Sequence, residues 1–140
     1  MIINTLWGEE ETEETFVCIH CKEEKHINEM DTDKYHKVRF ECKPCRKSHN
    51  KTVIKLKKQY GYLKPSLDDS CPICKRTGKQ ILEEGTGQGQ RAPWTLDHNH
   101  NTGKFRSYIC QHCNNMLSGA RDKLQTLING QKYLEKHDNF

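Results

Sequence analysis

Apolar residues are scarce in this 140-residue chain. Hydrophobic residues, cysteine included, make up 33%, against a usual ~45–50% when glycine is counted with them. Leu, Ile, Val and Phe together number 26, which is near the composition at which burial alone stops supporting a fold. One large oily core is therefore excluded. A membrane-spanning helix is excluded too, because no window approaches ~20 consecutive apolar residues. The first residues, Met1-Ile2-Ile3-Asn4 followed by glutamates, lack a basic region and an apolar run, so no secretory signal is predicted. Without export, a reducing compartment is expected, and disulfides are disfavoured there.

No cysteine is left over. All eight fall in four Cys-x-x-Cys pairs: Cys18/Cys21, Cys42/Cys45, Cys71/Cys74 and Cys110/Cys113. A single pair could be a thioredoxin-type redox motif, but four in succession without a βαβ pattern point to metal. Chains that cannot build a core use metal as a staple. Thiolates select zinc, and four of them close a tetrahedral structural site. Cys18, Cys21, Cys42 and Cys45, with 20 residues between the pairs, have zinc-ribbon spacing. His20 and His26 are alternative ligands, though four thiolates already satisfy the ion. Between the second two pairs lie 35 residues, too many for a simple ribbon, so the second set, Cys71, Cys74, Cys110 and Cys113, encloses an insertion.

Charge is distributed unevenly. The net charge is +4, but residues 1–15 hold five glutamates and no base. The sequence predicts a disordered acidic leader there, followed by a zinc ribbon over 16–47, a basic helix and linker over 48–70, and a second zinc-stapled module over 71–140. Residues 43–64 contain eight Lys or Arg and no acid. Val53, Leu56 and Tyr60 recur at helical spacing, giving a helix with one narrow apolar stripe that stops at Gly61. A solvated linker helix normally interleaves charge signs, so phosphate-backbone contact by Arg46, Lys47, Lys51, Lys55, Lys57 and Lys58 is favoured. Tyr35–Phe40 alternates and reads as a strand.

In the second module, residues 84–91 read as a mobile glycine-rich loop. Trp94–Asp97 and Lys104–Ile109 read as two strands around an Asn-x-Gly turn. A helix is expected from Asn114 and another over about Lys123–Lys136, with Asp122 as its N-cap and Leu124, Leu127, Ile128 and Leu134 on one face. Asp97, His98 and His100 stand at the end of the first strand, and Asn114 directly follows a zinc ligand. In an extended strand Asp97 and His98 point to opposite sides, so a bend is needed to bring both to one pocket. An Asp carboxylate with an Asn carbonyl is a sparse, hard donor set suited to Mg²⁺, or to Mn²⁺. A neutral imidazole beside such an ion can take a proton from water. These parts describe phosphodiester hydrolysis. Another zinc site or a polar turn is the competing reading of an isolated Asp-His-x-His.

Cys71-Pro-Ile-Cys74, Leu96-Asp97-His98-Asn99-His100-Asn101-Thr102-Gly103-Lys104-Phe105-Arg106 and Cys110-Gln-His-Cys113-Asn114-Asn-Met-Leu117 together resemble the recombination endonuclease VII family of phages, within the HNH or ββα-metal nucleases. The resemblance covers about residues 71–137. It implies a small α+β, zinc-stapled protein: a ββα-metal nuclease module preceded by the zinc ribbon and basic helix. It further implies two structural zinc ions, a catalytic Mg²⁺ (or Mn²⁺) on Asp97 and Asn114, His98 as general base, and His100 on the scissile phosphate or ordering the site. Lys104 and Arg106 become DNA contacts, Arg106 alternatively a strand support. The expected partner is DNA, duplex or branched, with a homodimer as a further expectation and no membrane. The expected location is cytoplasmic, the host cytoplasm for a phage protein. The three residues after Asn114 are Asn115, Met116 and Leu117, where the junction-resolving member of the family carries a Glu. Junction resolution and site-preferring or nicking cleavage therefore both stay open. A non-catalytic zinc DNA-binding protein and a zinc protein-interaction module are the alternatives outside the enzyme class.

Overall fold

The computed structural model describes residues 2–5, 8–11, 14–85 and 92–138. The chain divides into two compact units, Met1–Lys55 and Leu56–Phe140.

The first unit opens with β1 (Ile2–Thr5) and β2 (Gly8–Glu11), paired antiparallel from Ile2↔Glu11 to Thr5↔Gly8. The leader predicted to be disordered thus carries a hairpin in its described residues. Ile2, Ile3 and Thr5 are β-branched and suit a strand, a pattern that the run of glutamates obscures. Next, β3 (Thr15–Val17) and β4 (Glu24–His26) pair across the Cys18–Cys21 turn. Then β5 (Met30–Thr32) pairs with β6 (Val38–Cys42). The strand predicted over Tyr35–Phe40 begins later because residues 33–37 form a turn. The Asp33 Oδ1 accepts from the Tyr35 and Lys37 N–H groups at 2.8 and 3.0 Å, and His36 takes a left-handed φ of 61°. Asp is suited to this role, since its short carboxylate bonds its own backbone two residues on. Met30, Cys18 and Cys42 make the small core, with Phe16, Val38 and Cys45 packed on it.

Helix α1 (Lys43–Tyr60) starts directly after Cys42. The boundary predicted at residue 47 therefore falls inside it, and the division between the units falls inside it as well, after Lys55. It ends before Gly61, where a 3-10 turn follows. Of the predicted stripe, Leu56 is buried and Val53 and Tyr60 are half-buried.

The second unit has an element with no sequence expectation, α2 (Gly78–Glu84). Its signal is a capping box. Thr77 Oγ1 accepts from the Gln80 N–H at 3.2 Å, and Gln80 Oε1 accepts from the Thr77 N–H at 2.9 Å, so two orphan donors are satisfied reciprocally. Gly78 permits a close approach: a Cβ there would lie 2.9 Å from the Leu67 Cα. The predicted mobile loop falls, over residues 86–91, outside the described residues. Strands β7 (Trp94–His98) and β8 (Phe105–Cys110) pair antiparallel. Their connection is a turn in which the Asn99 Oδ1 accepts from the Asn101 and Thr102 N–H groups and Gly103 takes a φ of 69°. Helix α3 (Gln111–Gly119) packs on both strands and completes a ββα unit. It begins three residues before the expected Asn114, because Cys110 is its N-cap: the sulfur accepts from the Cys113 N–H at 3.4 Å.

The core of this unit gathers Leu56, Ile81, Trp94, Leu96, Tyr108 and Ile109 around the cysteines, with the Tyr60 and Phe105 rings stacked at 4.3 Å. Helix α4 (Leu124–Asp138) has no buried residue, and Leu124 and Leu134 of its predicted apolar face are exposed. No helix among the described residues is long and apolar enough to cross a membrane.

The two units share a construction. In each, a Cys-x-x-Cys turn is closed by the same pair of backbone bonds, Lys22 N–H to Cys18 O and Cys18 N–H to Glu23 O, or Lys75 N–H to Cys71 O and Cys71 N–H to Arg76 O. In each, the residue after the second cysteine is left-handed, Lys22 at 63° and Lys75 at 65°. In each, a hairpin's second strand ends on a cysteine that opens a helix.

Candidate active site

The eight cysteines form two groups of four, each with its sulfur atoms within 4.8 Å of one another. Cys18, Cys21, Cys42 and Cys45 make one; Cys71, Cys74, Cys110 and Cys113 make the other. None of the eight is in a disulfide. Cys21 and Cys42 sulfurs stand 4.0 Å apart, and those of Cys74 and Cys110 3.8 Å apart. A tetrahedral zinc with Zn–S of ~2.3 Å has an S···S edge of roughly 3.8 Å, so both sets fit zinc. Backbone N–H groups point at the sulfurs, Cys42 to Cys18 at 3.3 Å and Cys110 to Cys71 at 3.5 Å, and Arg76 Nε donates to Cys74 at 3.4 Å. Such donors offset the negative charge of four thiolates. His20 and His26 take other partners. His20 Nε2 lies 3.3 Å from Glu41 Oε2, and His26 Nδ1 accepts from the Asn28 N–H.

The second group anchors the polar site. A zinc ion held by Cys110 and Cys113 would pin the end of β8 and the first turn of α3, and Asn114, half-buried, follows Cys113 directly. Across the sheet, Asp97 and His98 end β7, and they are only 7% and 5% exposed. Here the strand departs from regular alternation. Asp97 pairs with Ser107, but His98 pairs with Phe105, so Arg106 is the extra residue of a bulge. A bulge bends the strand and re-aims side chains. That extra residue belongs to β8, opposite the end of β7, where Leu96, Asp97 and His98 are buried in succession.

The bulge residue is engaged. Arg106 Nη1 donates to Asp97 Oδ2 and to Asp122 Oδ1, each at 3.4 Å. The other oxygen of Asp122 lies 3.1 Å from His100 Nδ1. The His98 and His100 rings meet edge-on at 4.9 Å and 76°. Burial lowers the pKa of His98 below the ordinary imidazole value, and the charges of His100 and Arg106 push the same way against Asp97 and Asp122. His98 is thereby kept neutral, the form that can accept a proton.

Asp122 is the residue that sequence reasoning misplaced. It was expected to cap α4, yet that helix begins at Leu124. Arg121 and Asp122 are both left-handed, at 53° and 54°. The Asp122 N–H bonds Leu117 O and the Arg121 N–H bonds Ser118 O, which is a Schellman ending of α3 with Arg where glycine is usual. Helix-end geometry thus turns Asp122 toward the histidines. The signal in sequence was the absence of Gly after Gly119-Ala120, at an ending that needs φ > 0.

Among the expected DNA contacts, Arg46 binds the buried Glu41 at 2.8 Å, and Arg106 binds the two aspartates. Lys47, Lys51, Lys55, Lys57, Lys58 and Lys104 are exposed.

Three comparisons bear on this arrangement. No curated protein matches the chain. A crystal structure described as the ββα-Me type II restriction endonuclease Hpy99I is similar at 27% identity and a TM-score of 0.54, over 89% of this chain and 66% of that one. The present chain thus spans just under two thirds of that protein. The sequence also matches the family described as recombination endonuclease VII over residues 45–136, a stretch that begins at the last ligand of the first zinc set and runs through the ββα unit into α4. On that match, the chain belongs to the recombination endonuclease VII family.

Proposed function

We propose that the chain is a metal-dependent DNA endonuclease that hydrolyses phosphodiester bonds. The observation that carries this is the burial of Asp97 and His98 at the end of β7, beside the Arg106 bulge of β8, in a unit where Asn114 directly follows the cysteine Cys113. Family membership and the likeness to a ββα-Me endonuclease support it. The Asp97 carboxylate and the Asn114 carbonyl are hard oxygen donors that fit Mg²⁺ or Mn²⁺. Such an ion, when bound, neutralises phosphate charge and stabilises the leaving oxygen. His98 accepts the proton of the attacking water, being neutral near pH 7 through burial. His100 contacts the scissile phosphate. Lys104 and the exposed lysines of α1 hold the backbone of the nucleic acid.

One gel tests the activity. A four-way junction and a linear duplex of matching sequence are incubated with Mg²⁺, with His98→Ala as control. Cleavage confined to the junction makes the chain a resolvase. Cleavage of both makes it a general or site-preferring nuclease. No Mg²⁺-dependent cleavage of these or of longer genomic DNA overturns the proposal in favour of a zinc DNA-binding protein.

The α1 lysines carry a separate expectation. Replacing Lys55, Lys57 and Lys58 by Gln should weaken DNA binding on every sequence. The slope of log affinity against log salt should flatten by ~0.9 for each lysine that touches a phosphate. Affinity measured between 50 and 200 mM salt, roughly the range over which such contacts act, checks this. An unchanged slope returns the helix to a linker.

A further inference from the structure

We propose that Asp122 is a positioning residue of the active site, fixing the orientation of the His100 ring through Nδ1. The proposal rests on the nuclease activity proposed above. The carboxylate is held at both oxygens: Oδ1 receives Arg106 Nη1 at 3.4 Å, and Oδ2 lies 3.1 Å from His100 Nδ1. A carboxylate fixed on one side by a guanidinium cannot rotate freely, so its second oxygen is presented in one direction. Because a carboxylate only accepts, the proton of the contact sits on Nδ1.

The hold reaches further than His100. The same Arg106 nitrogen contacts Asp97, and the His100 ring packs edge-on against His98. Asp97, Arg106, Asp122, His100 and His98 form one chain of contacts, and Asp122 is the link supplied by the helix side.

The backbone bears on the same point. Two consecutive non-glycine residues with left-handed φ cost roughly 1 kcal/mol or more each. Glycine at position 121 would end α3 without that cost. The conformation delivers the Asp122 side chain to the hairpin, and that contact is what a simple helix ending would not need. Outer carboxylates that orient a functional imidazole change activity by ~10–100-fold when removed.

The test uses the full zinc-loaded chain and two readouts. The first is the ¹⁵N spectrum of the histidine rings. The wild type should show His100 protonated at Nδ1. Asp122→Asn should keep that proton, because the amide oxygen still accepts and Asn tolerates the left-handed backbone. Asp122→Ala should lose the fixed tautomer. The second readout is single-turnover cleavage of whichever DNA the wild type cuts. Asp122→Ala should lower the rate ~10–100-fold with unchanged DNA affinity and zinc content, Asp122→Asn should restore part of it, since its one amide oxygen still accepts from His100 while its NH2 group loses the Arg106 contact, and Asp122→Ala should cost little more in a His100→Ala background. Non-additivity of this kind marks residues that act through one another, which a loss of fold would not produce. A His100 ring without a proton on Nδ1, a tautomer untouched by Asp122→Ala, or an undiminished effect in the His100→Ala background overturns the proposal. If the wild type cuts nothing, the nuclease activity fails, while the ring spectra still decide whether Asp122 holds His100.

Discussion

His98→Ala is expected to abolish DNA cleavage while leaving zinc content and DNA affinity unchanged. General-base catalysis contributes ~10²–10⁴-fold, so single-turnover rates should fall by at least about a hundredfold. The loss follows from chemistry rather than from unfolding, because the unit is stapled at Cys71, Cys74, Cys110 and Cys113, none of which the substitution touches. The ring of His98 is buried and packed against His100, so some thermal stability is lost with it; the cysteine frame persists, and zinc stoichiometry and gel-shift affinity report that separately. The same assignment fixes a pH dependence. Burial lowers the pKa of His98 from the ordinary 6.5. A lowered pKa keeps the neutral base present to lower pH, so cleavage should hold as pH drops through the ordinary value and fall only below it. A mutant that still cuts, or a rate that falls off above the ordinary imidazole pKa, removes His98 from the role of base.

The largest stability effect is expected at Cys110. Its sulfur is fully buried, closes the second four-cysteine group and caps α3 by accepting from the Cys113 N–H. Structural zinc in small domains supplies ~10–16 kcal/mol of folding free energy, comparable to the whole stability of a typical domain at ~5–15 kcal/mol. A chain with so few aliphatic residues has little else to offset that loss. Cys110→Ser should therefore bind one zinc per chain in place of two, lose the cooperative unfolding of Leu56–Phe140, and cleave nothing. Metal stoichiometry by colorimetric release, together with circular dichroism melting, reads both effects. A folded, active Cys110→Ser chain with two bound zinc ions contradicts the two-zinc architecture.

Some of this protein is legible along the chain and some is not, for identifiable reasons. The zinc ligands are readable because a metal knuckle is a local device: two cysteines three apart in one turn, met by another such pair. The stop of α1 before Gly61 and the strands β7 and β8 follow from hydrophobic spacing and turn residues that act over a few positions. Helix α2 had a readable signal, Thr77-x-x-Gln80, that a glycine-rich neighbourhood masked. Arg46 looked available for phosphate because no acid follows it in the helix, yet Glu41, five residues earlier on the preceding strand, binds it.

The candidate residues are thus picked out by the sequence: Asp97, His98, His100 and Asn114 stand out by type, by order and by their place inside the second cysteine frame. Their arrangement is not. The register of β7 against β8, with Arg106 left over between Phe105 and Ser107, is what brings the Arg106 guanidinium to Asp97. A bulge is a property of two strands paired, so neither strand alone encodes where it falls. The contact of Asp122 with His100 likewise depends on how α3 ends after packing on the hairpin. Spacing of ligands within a turn is set by a few covalent bonds, whereas the meeting of a strand end, a bulge and a helix end is set by packing between segments far apart in the chain.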